Sequence, residues 1–180
     1  VLELSSFQLH TMQQSPDVAV ITNITPNHLD IHKSMEEYID AKRNIFLYQT
    51  SNDRVVLNYD NPITKSFIPQ SKASVLLFSS RQECMEGAFV QDGRIILRTK
   101  EHEREIMPLS DIRLPGMHNA ENIMAAMLAV LPEVGIDTVC HIAQTFGGVE
   151  HRSEFVRSIN GVTFYNDSIG SSPTRTIATL

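Results

Sequence analysis

Glu3, His28 and Lys42 are a carboxylate, an imidazole and an amine, three side chains that could act on one substrate or hold one ion if the fold brought them together. Lys42 is the informative one. In Asn23 to Lys42, NITPNHLDIHKSMEEYIDAK, Ser34 and Glu37 have the S-x-x-E spacing of a capping box, which predicts a helix beginning after Ser34. Met35, Tyr38, Ile39, Ile45 and Phe46 then recur at helical spacing and draw one apolar stripe, and Lys42 falls inside it, while Glu36, Glu37, Asp40 and Arg43 lie off it. A lysine on a buried face loses hydration, which favours its neutral amine. That amine is a nucleophile, and it can take up carbon dioxide to become an anionic carbamate. The alternative is that Lys42 lays its methylenes on the core and keeps its ammonium in water. Periodicity alone favours this second reading.

Glu3 lies close to the carboxyl end of Val1 to Leu4, which reads as the last part of a buried strand, and His28 follows a continuous apolar run, Val18 to Ile21, between Pro16 and Pro26. Such runs suit parallel strands covered on both faces, and ligands of open α/β sheets bind beyond the carboxyl ends of the strands. Oxygen and nitrogen groups at adjacent strand ends suit magnesium better than a structural zinc. His28 and His32 together suggest zinc hydrolysis only weakly, because no Glu follows His28 and the cap at Ser34 leaves both histidines in a loop.

The elements that must position these groups read as α/β. Phe7 to Gln13 is expected as a short helix, Arg54 to Asn58 as a strand, Asp60-Asn61-Pro62 as a turn or helix start, and Ser74 to Ser79 as a third buried strand. Asp92-Gly93 marks a hairpin within Gly87 to Ile106, an antiparallel excursion at the sheet edge with Lys100 to Glu105 as a solvated turn. After LPGMHN, a long helix follows whose core face is Ala120, Ile123, Met124, Met127, Leu128 and Leu131. His118 and Asn119 stand at its amino end, where exposed N–H groups can donate to a phosphate or a polar base edge, or where Asn119 simply caps the helix. Asp137 to Phe146 is expected as a helix stopped by Gly147-Gly148. Gly147 to Val149 reads as a linker dividing residues 1–148 from a second unit, 149–180, with strands Glu154 to Arg157 and Val162 to Tyr165 around Asn160-Gly161 and a last helix, Pro173 to Leu180.

At 180 residues and 42% hydrophobic, the chain can bury a core of about one domain. A net charge of −6 argues against a broad nucleic-acid or anionic-membrane surface. Cys84 and Cys140, two thiols far apart, make no disulfide framework, and no run reaches membrane-spanning length or resembles a signal peptide. A cytosolic protein is expected. Val1 lies inside an apolar run and Leu180 inside a helical pattern, so the sequence reads as a segment of something longer.

ELSSFQL (Glu3 to Leu9), NITPNHLDIH, Ala41-Lys42, GMHN (Gly116 to Asn119), His151-Arg152 and NDS (Asn166 to Ser168) stand in the order and rough spacing of the Mur ligases, which the chain resembles over nearly its whole length. The ELSSFQL run is the most selective and points to the branch that adds D-glutamate to UDP-N-acetylmuramoyl-L-alanine. The resemblance implies part of a P-loop-type parallel sheet with flanking helices, followed by the first elements of a Rossmann-like C-terminal domain. It further implies ATP-dependent amide formation in peptidoglycan precursor synthesis, in the cytoplasm. Carried over by position, Glu3 and His28 are ligands of Mg2+ and Lys42 the lysine that is carbamylated. Asn119 then contacts adenine, Arg152 the phosphates and Asp167 the ribose of ATP.

Two departures accompany it. Ile169 stands where relatives have a lysine, with Arg175 as a conceivable replacement, and no G-x-x-G-K-[ST] loop occurs in the sequence. The chain alone is therefore expected to be inactive, and the open edge of a partial sheet would favour self-association although a longer parent would be a monomer. A folylpolyglutamate-type ligase and a non-catalytic nucleotide-binding descendant are the competing readings.

Overall fold

The computed structural model describes residues 1–25, 32–152 and 154–169. Its main body is a six-stranded sheet of β1 (Val18–Ile21), β2 (Arg54–Asn58), β3 (Ser74–Ser79), β4 (Gly87–Gln91), β5 (Arg94–Arg98) and β6 (Glu103–Pro108), paired in that order. The first four strands run parallel, and β5 is antiparallel to both of its neighbours, β4 and β6. Because strand side chains alternate between faces, the continuous apolar runs supply two cores at once. Ala19, Ile21, Val55, Leu57, Leu77 and Phe89 pack on one face, whereas Val56, Phe78, Ala88 and Ile95 pack on the other.

The first face is covered by α2 (Met35–Leu47) and α3 (Pro62–Ser66), through Tyr38, Phe46 and Ile63. Phe46 meets Phe67 with ring centroids 5.2 Å apart, and each such side chain removed from water contributes roughly 1.5–3 kcal/mol. The opposite face is covered by α4 (Met117–Val130), whose Met124, Met127 and Leu128 are buried as the periodicity predicts, and by α5 (Ile136–Thr145). A short α1 (Ser6–His10), shorter than the expected Phe7 to Gln13, lies on α2.

Four expectations are corrected. Val1 to Leu4 is not a buried strand: it pairs with no described strand, and Leu2 is 83% exposed. Apolar character alone does not make a strand where no ladder partner is at hand. Lys100 to Glu105 is only partly a turn. Thr99 closes the turn by donating its N–H to the His102 carbonyl (2.9 Å), and Glu103 already begins β6, where it and Glu105 pair with Arg98 and Arg94 across the ladder.

Glycines 147 and 148 do not stop α5. The helix ends at Phe146 in extended backbone, and Arg113 takes its last carbonyls, donating from its backbone N–H to Ala143 (3.0 Å) and from Nη1 to Thr145 (2.8 Å). Nor does Asn119 cap α4. Gly116 holds that place at φ +100°, and a Cβ there would lie 2.7 Å from the His118 ring.

Beyond α5, β7 (Glu154–Ile159) and β8 (Val162–Asn166) form a separate two-stranded antiparallel sheet. They turn at Asn160 (φ 51°) and Gly161 (φ 79°), the left-handed pair of a tight hairpin. The expected helix from Pro173 and Arg175 lie outside the described residues. No helix among the described residues is long and apolar enough to cross a membrane.

Candidate active site

Ser34 caps α2 as the spacing predicts, its hydroxyl accepting from the Glu37 N–H at 3.2 Å. Glu37 completes the box one residue early, accepting from the Lys33 N–H at 2.6 Å rather than from Ser34. This cap sets the rotation of α2: Tyr38, Ala41 and Phe46 turn into the core, and Lys42 becomes half-buried at the margin of the stripe.

A cavity of about 360 Å3 opens beside Lys42, at the carboxyl end of β1. Leu2, Glu3, Leu4, Val20 to Asn23 and Lys42 are among the residues that line it, so two of the three chemical candidates, Glu3 and Lys42, border one space. Lys42 Nζ donates to the Leu4 carbonyl at 3.5 Å. Burial pushes the Lys42 amine below the ordinary lysine range, and the Glu3 carboxylate pulls it partly back. The snorkelling alternative therefore holds only in part, because the amine is not fully returned to water.

The third candidate, His28, lies outside the described residues, but what precedes it is firmly held. Asn58 Nδ2, at the end of β2, donates to the Thr22 carbonyl at 2.9 Å. Asn61 caps α3 by accepting from the Ile63 and Thr64 N–H groups, both at 3.0 Å, and donates from Nδ2 to Asn23 Oδ1 (2.6 Å) and the Ile24 carbonyl (2.9 Å). Neither asparagine was singled out from sequence as a site residue, although a side-chain amide at a strand end, able to donate and accept at once, is a signal for loop fixation.

His32 itself does not lie open to a ligand. It is buried against Ser6, Phe7 and Tyr38. Among the described residues no cluster of three or more His, Cys, Asp or Glu is placed to hold a metal ion.

The remaining candidates sit elsewhere. Asn119, in the first turn of α4, donates from Nδ2 to the Pro115 carbonyl at 2.7 Å. That turn is tied to the strand ends through Ser80, whose hydroxyl donates to Glu121 Oε1 (2.5 Å) while its N–H donates to Asp60 Oδ2 (2.8 Å). Arg152 is exposed between α5 and β7, and Asp167 follows β8. Their segments meet: Asn166 Nδ2 lies 2.9 Å from His151 Nδ1, and the Ile169 N–H donates to the His151 carbonyl at 3.2 Å. Glu3 and Lys42 are thus brought together, and so are the segments carrying Arg152 and Asp167.

This architecture and motif order match known proteins. Residues 1–130 match the profile of the Mur ligase middle domain. UDP-N-acetylmuramoylalanine–D-glutamate ligases from Acetivibrio thermocellus and Ruminiclostridium cellulolyticum are 58% and 54% identical to the chain over all 180 residues. The chain spans 39% of the length of each. Among solved structures, MurF from Acinetobacter baumannii superposes with a TM-score of 0.72 at 18% identity, covering 96% of this chain and 38% of that one. MurF from Thermotoga maritima, solved with ADP, gives 0.62 at 19% identity over 91% of this chain and 38% of its own. The mixed sheet with its antiparallel edge is the fold these structures share with it, and the chain belongs to the Mur ligase family.

Proposed function

We propose that the chain is the ATP-binding middle portion, without its phosphate loop, and the first C-terminal elements of a ligase that joins D-glutamate to UDP-N-acetylmuramoyl-L-alanine. The boundary falls near residues 148 and 149. The observation that carries the reading is that Glu3 and the partly desolvated Lys42 border one strand-end cavity, in a chain whose relatives bear that ligase's name. It supports this activity over a folylpolyglutamate-type ligase or a non-catalytic descendant.

In this reaction the carboxylate of the muramoyl-alanine substrate attacks the γ-phosphorus of ATP, the bond to ADP breaks, and an acyl phosphate forms. The amine of D-glutamate then adds to the acyl carbon and phosphate leaves. Both steps move negative charge, so fixed cations and dipoles supply most of the acceleration.

Glu3 and Lys42 fit a magnesium site, together with His28: a carboxylate is a hard oxygen ligand, and an amine displaced toward neutrality takes up carbon dioxide, releasing a proton and leaving a second carboxylate-like group. Mg2+ held there would screen the charge passing between phosphate oxygens. Asn119 contributes its amide to the adenine edge, Arg152 its guanidinium to the phosphates, and Asp167 its carboxylate to the ribose hydroxyls. Both nucleotide substrates are soluble cytoplasmic compounds, which places the enzyme there as part of cell-wall synthesis and so of cell shape and division.

The test uses the full-length ligase that contains this chain. Phosphate release is expected only when ATP, D-glutamate and UDP-N-acetylmuramoyl-L-alanine are all present, and the Lys42 peptide is expected to gain the mass of one carbon dioxide in bicarbonate. Release independent of D-glutamate would refute the assignment. The 180-residue chain alone is expected to release none.

A further inference from the structure

His32 touches both elements that carry the Glu3 and Lys42 pair. It is only 6% exposed, and its Nε2 shares a hydrogen bond of 2.8 Å with Ser6 Oγ at the start of α1. Its ring lies parallel to Phe7, with centroids 5.1 Å apart and 6° between planes, and tilted against Tyr38 at 5.3 Å and 55°. Ser6 and Phe7 follow Glu3 by one short stretch of chain, and Tyr38 lies one helical turn before Lys42.

The other end of α1 is held independently. Asn44 Nδ2 donates to the carbonyls of Leu9 (2.9 Å) and His10 (3.4 Å), and the Leu9 side chain is buried. Among the described residues the helix thus has an attachment toward α2 at each end, and the one at His32 lies at the end from which Glu3 extends. Residues 1–5 pair with no described strand; Ser5 is joined to α1 by a capping box with Gln8, so the placement of α1, with the Lys42 to Leu4 contact, sets where they lie.

We propose that His32 is a positioning residue: through Ser6, Phe7 and Tyr38 it pins the amino end of α1 to α2 and so keeps Glu3 at the cavity that Lys42 also lines. The proposal rests on the reading of Glu3 and Lys42 as the reactive pair. A buried imidazole suits the task, since one ring supplies two stacking faces and a directional hydrogen bond at the rim. Outer partners of this kind orient a reactive group without touching the substrate.

The test is a zero-length carbodiimide cross-link between the Glu3 carboxylate and the Lys42 amine, quantified by mass spectrometry in the full-length ligase, beside kcat and KM for ATP. In bicarbonate-free buffer without nucleotide, where Lys42 keeps a free amine, wild-type protein is expected to yield the Glu3–Lys42 amide. If it does not, the pairing itself fails, whatever His32 does. His32→Phe keeps a ring but loses the Ser6 bond, and Ser6→Ala removes the partner while changing little else. Each is expected to lower the cross-link yield and to reduce kcat by about tenfold with KM for ATP unchanged. His32→Gln, which offers Ser6 an amide, is expected to recover yield over His32→Phe, and Asn44→Ala, at the other attachment, to leave the yield at the wild-type level. Undiminished cross-linking in both His32→Phe and Ser6→Ala, in a protein whose wild type cross-links, would overturn the proposal.

Discussion

Lys42 Nζ reaches the backbone carbonyl of Leu4 at 3.5 Å, so the amine on α2 touches the segment that carries Glu3 through a neutral acceptor at the outer limit of a hydrogen bond. Such a contact returns little of the hydration that burial removes, and this is why the amine is displaced toward its neutral form. Arginine keeps the charge and some of the reach but stays protonated and cannot form a carbamate. Lys42→Arg in the full-length ligase is expected to leave the thermal midpoint nearly unchanged and to lower kcat on the order of 100-fold, the scale of losing one charge-stabilising group. Near-normal turnover in this variant would show that a cation suffices.

Asn61 performs two tasks with two atoms, and substitutions separate them. Its Oδ1 caps α3, and its Nδ2 holds Asn23 and Ile24. Asn61→Ala removes both and is expected to cost about 2 kcal/mol in urea unfolding, the upper range for a lost cap. Asn61→Asp keeps the cap acceptors and loses the donor. It is therefore expected to recover much of that stability while still lowering turnover, because Asn23 and Ile24, which precede His28 in the chain, lose their anchor.

The fold was legible wherever a local pattern met a partner that the chain itself supplies. Val55, Val56 and Leu57 form one apolar run and divide between two cores, which is what a strand buried on both faces requires, and Ser34 capped its helix because both members of the signal lie within one turn. Val1 to Leu4 has the same apolar character, yet its status depends on a ladder partner, a non-local fact. Glu103 and Glu105 read as solvated charge until the arginines of β5 lay opposite them. Within the site, Lys42 stood out because a charge interrupted a periodic stripe. His32 and Asn61 did not, since their roles consist of contacts with Ser6 and Asn23, far away in sequence.

Cys84 gives the fold a pH dependence in the alkaline range. Burial, with a further push from the Asp60 carboxylate, raises its thiol to about 12, against the weaker opposing pull of Arg98 and Lys65. Between its ordinary value near 9 and the folded value, the native state keeps a proton that the unfolded chain releases. The thiol's contribution is then complete below the unfolded pKa and is lost as pH rises through the folded one. The urea midpoint is expected to fall as pH rises beyond about 9, and Cys84→Ala, though less stable overall, is expected to show a shallower decline. In native protein at mildly alkaline pH, an alkylating reagent should modify the partly exposed Cys140 and spare the buried Cys84.

The entry into β4 depends on a glycine for two separable reasons. Gly87 has φ +139°, outside the range L side chains adopt readily, and a Cβ there would lie 1.8 Å from the Leu77 carbonyl oxygen and 2.6 Å from the Leu77 nitrogen. These are backbone atoms of β3 at the first rung of the β3 and β4 ladder, where the Leu77 N–H donates to Glu86 at 3.0 Å, so no side chain can swing aside. Gly93, in the β4 to β5 turn, has φ +71° and nothing within 4 Å of a built Cβ. Gly93→Ala therefore meets conformational strain alone and is expected to cost about 1–2 kcal/mol. Gly87→Ala must also push two strands apart and is expected to cost about 3 kcal/mol or more in urea unfolding. Equal costs at the two positions would mean that the approach to Leu77 is not what requires glycine at Gly87.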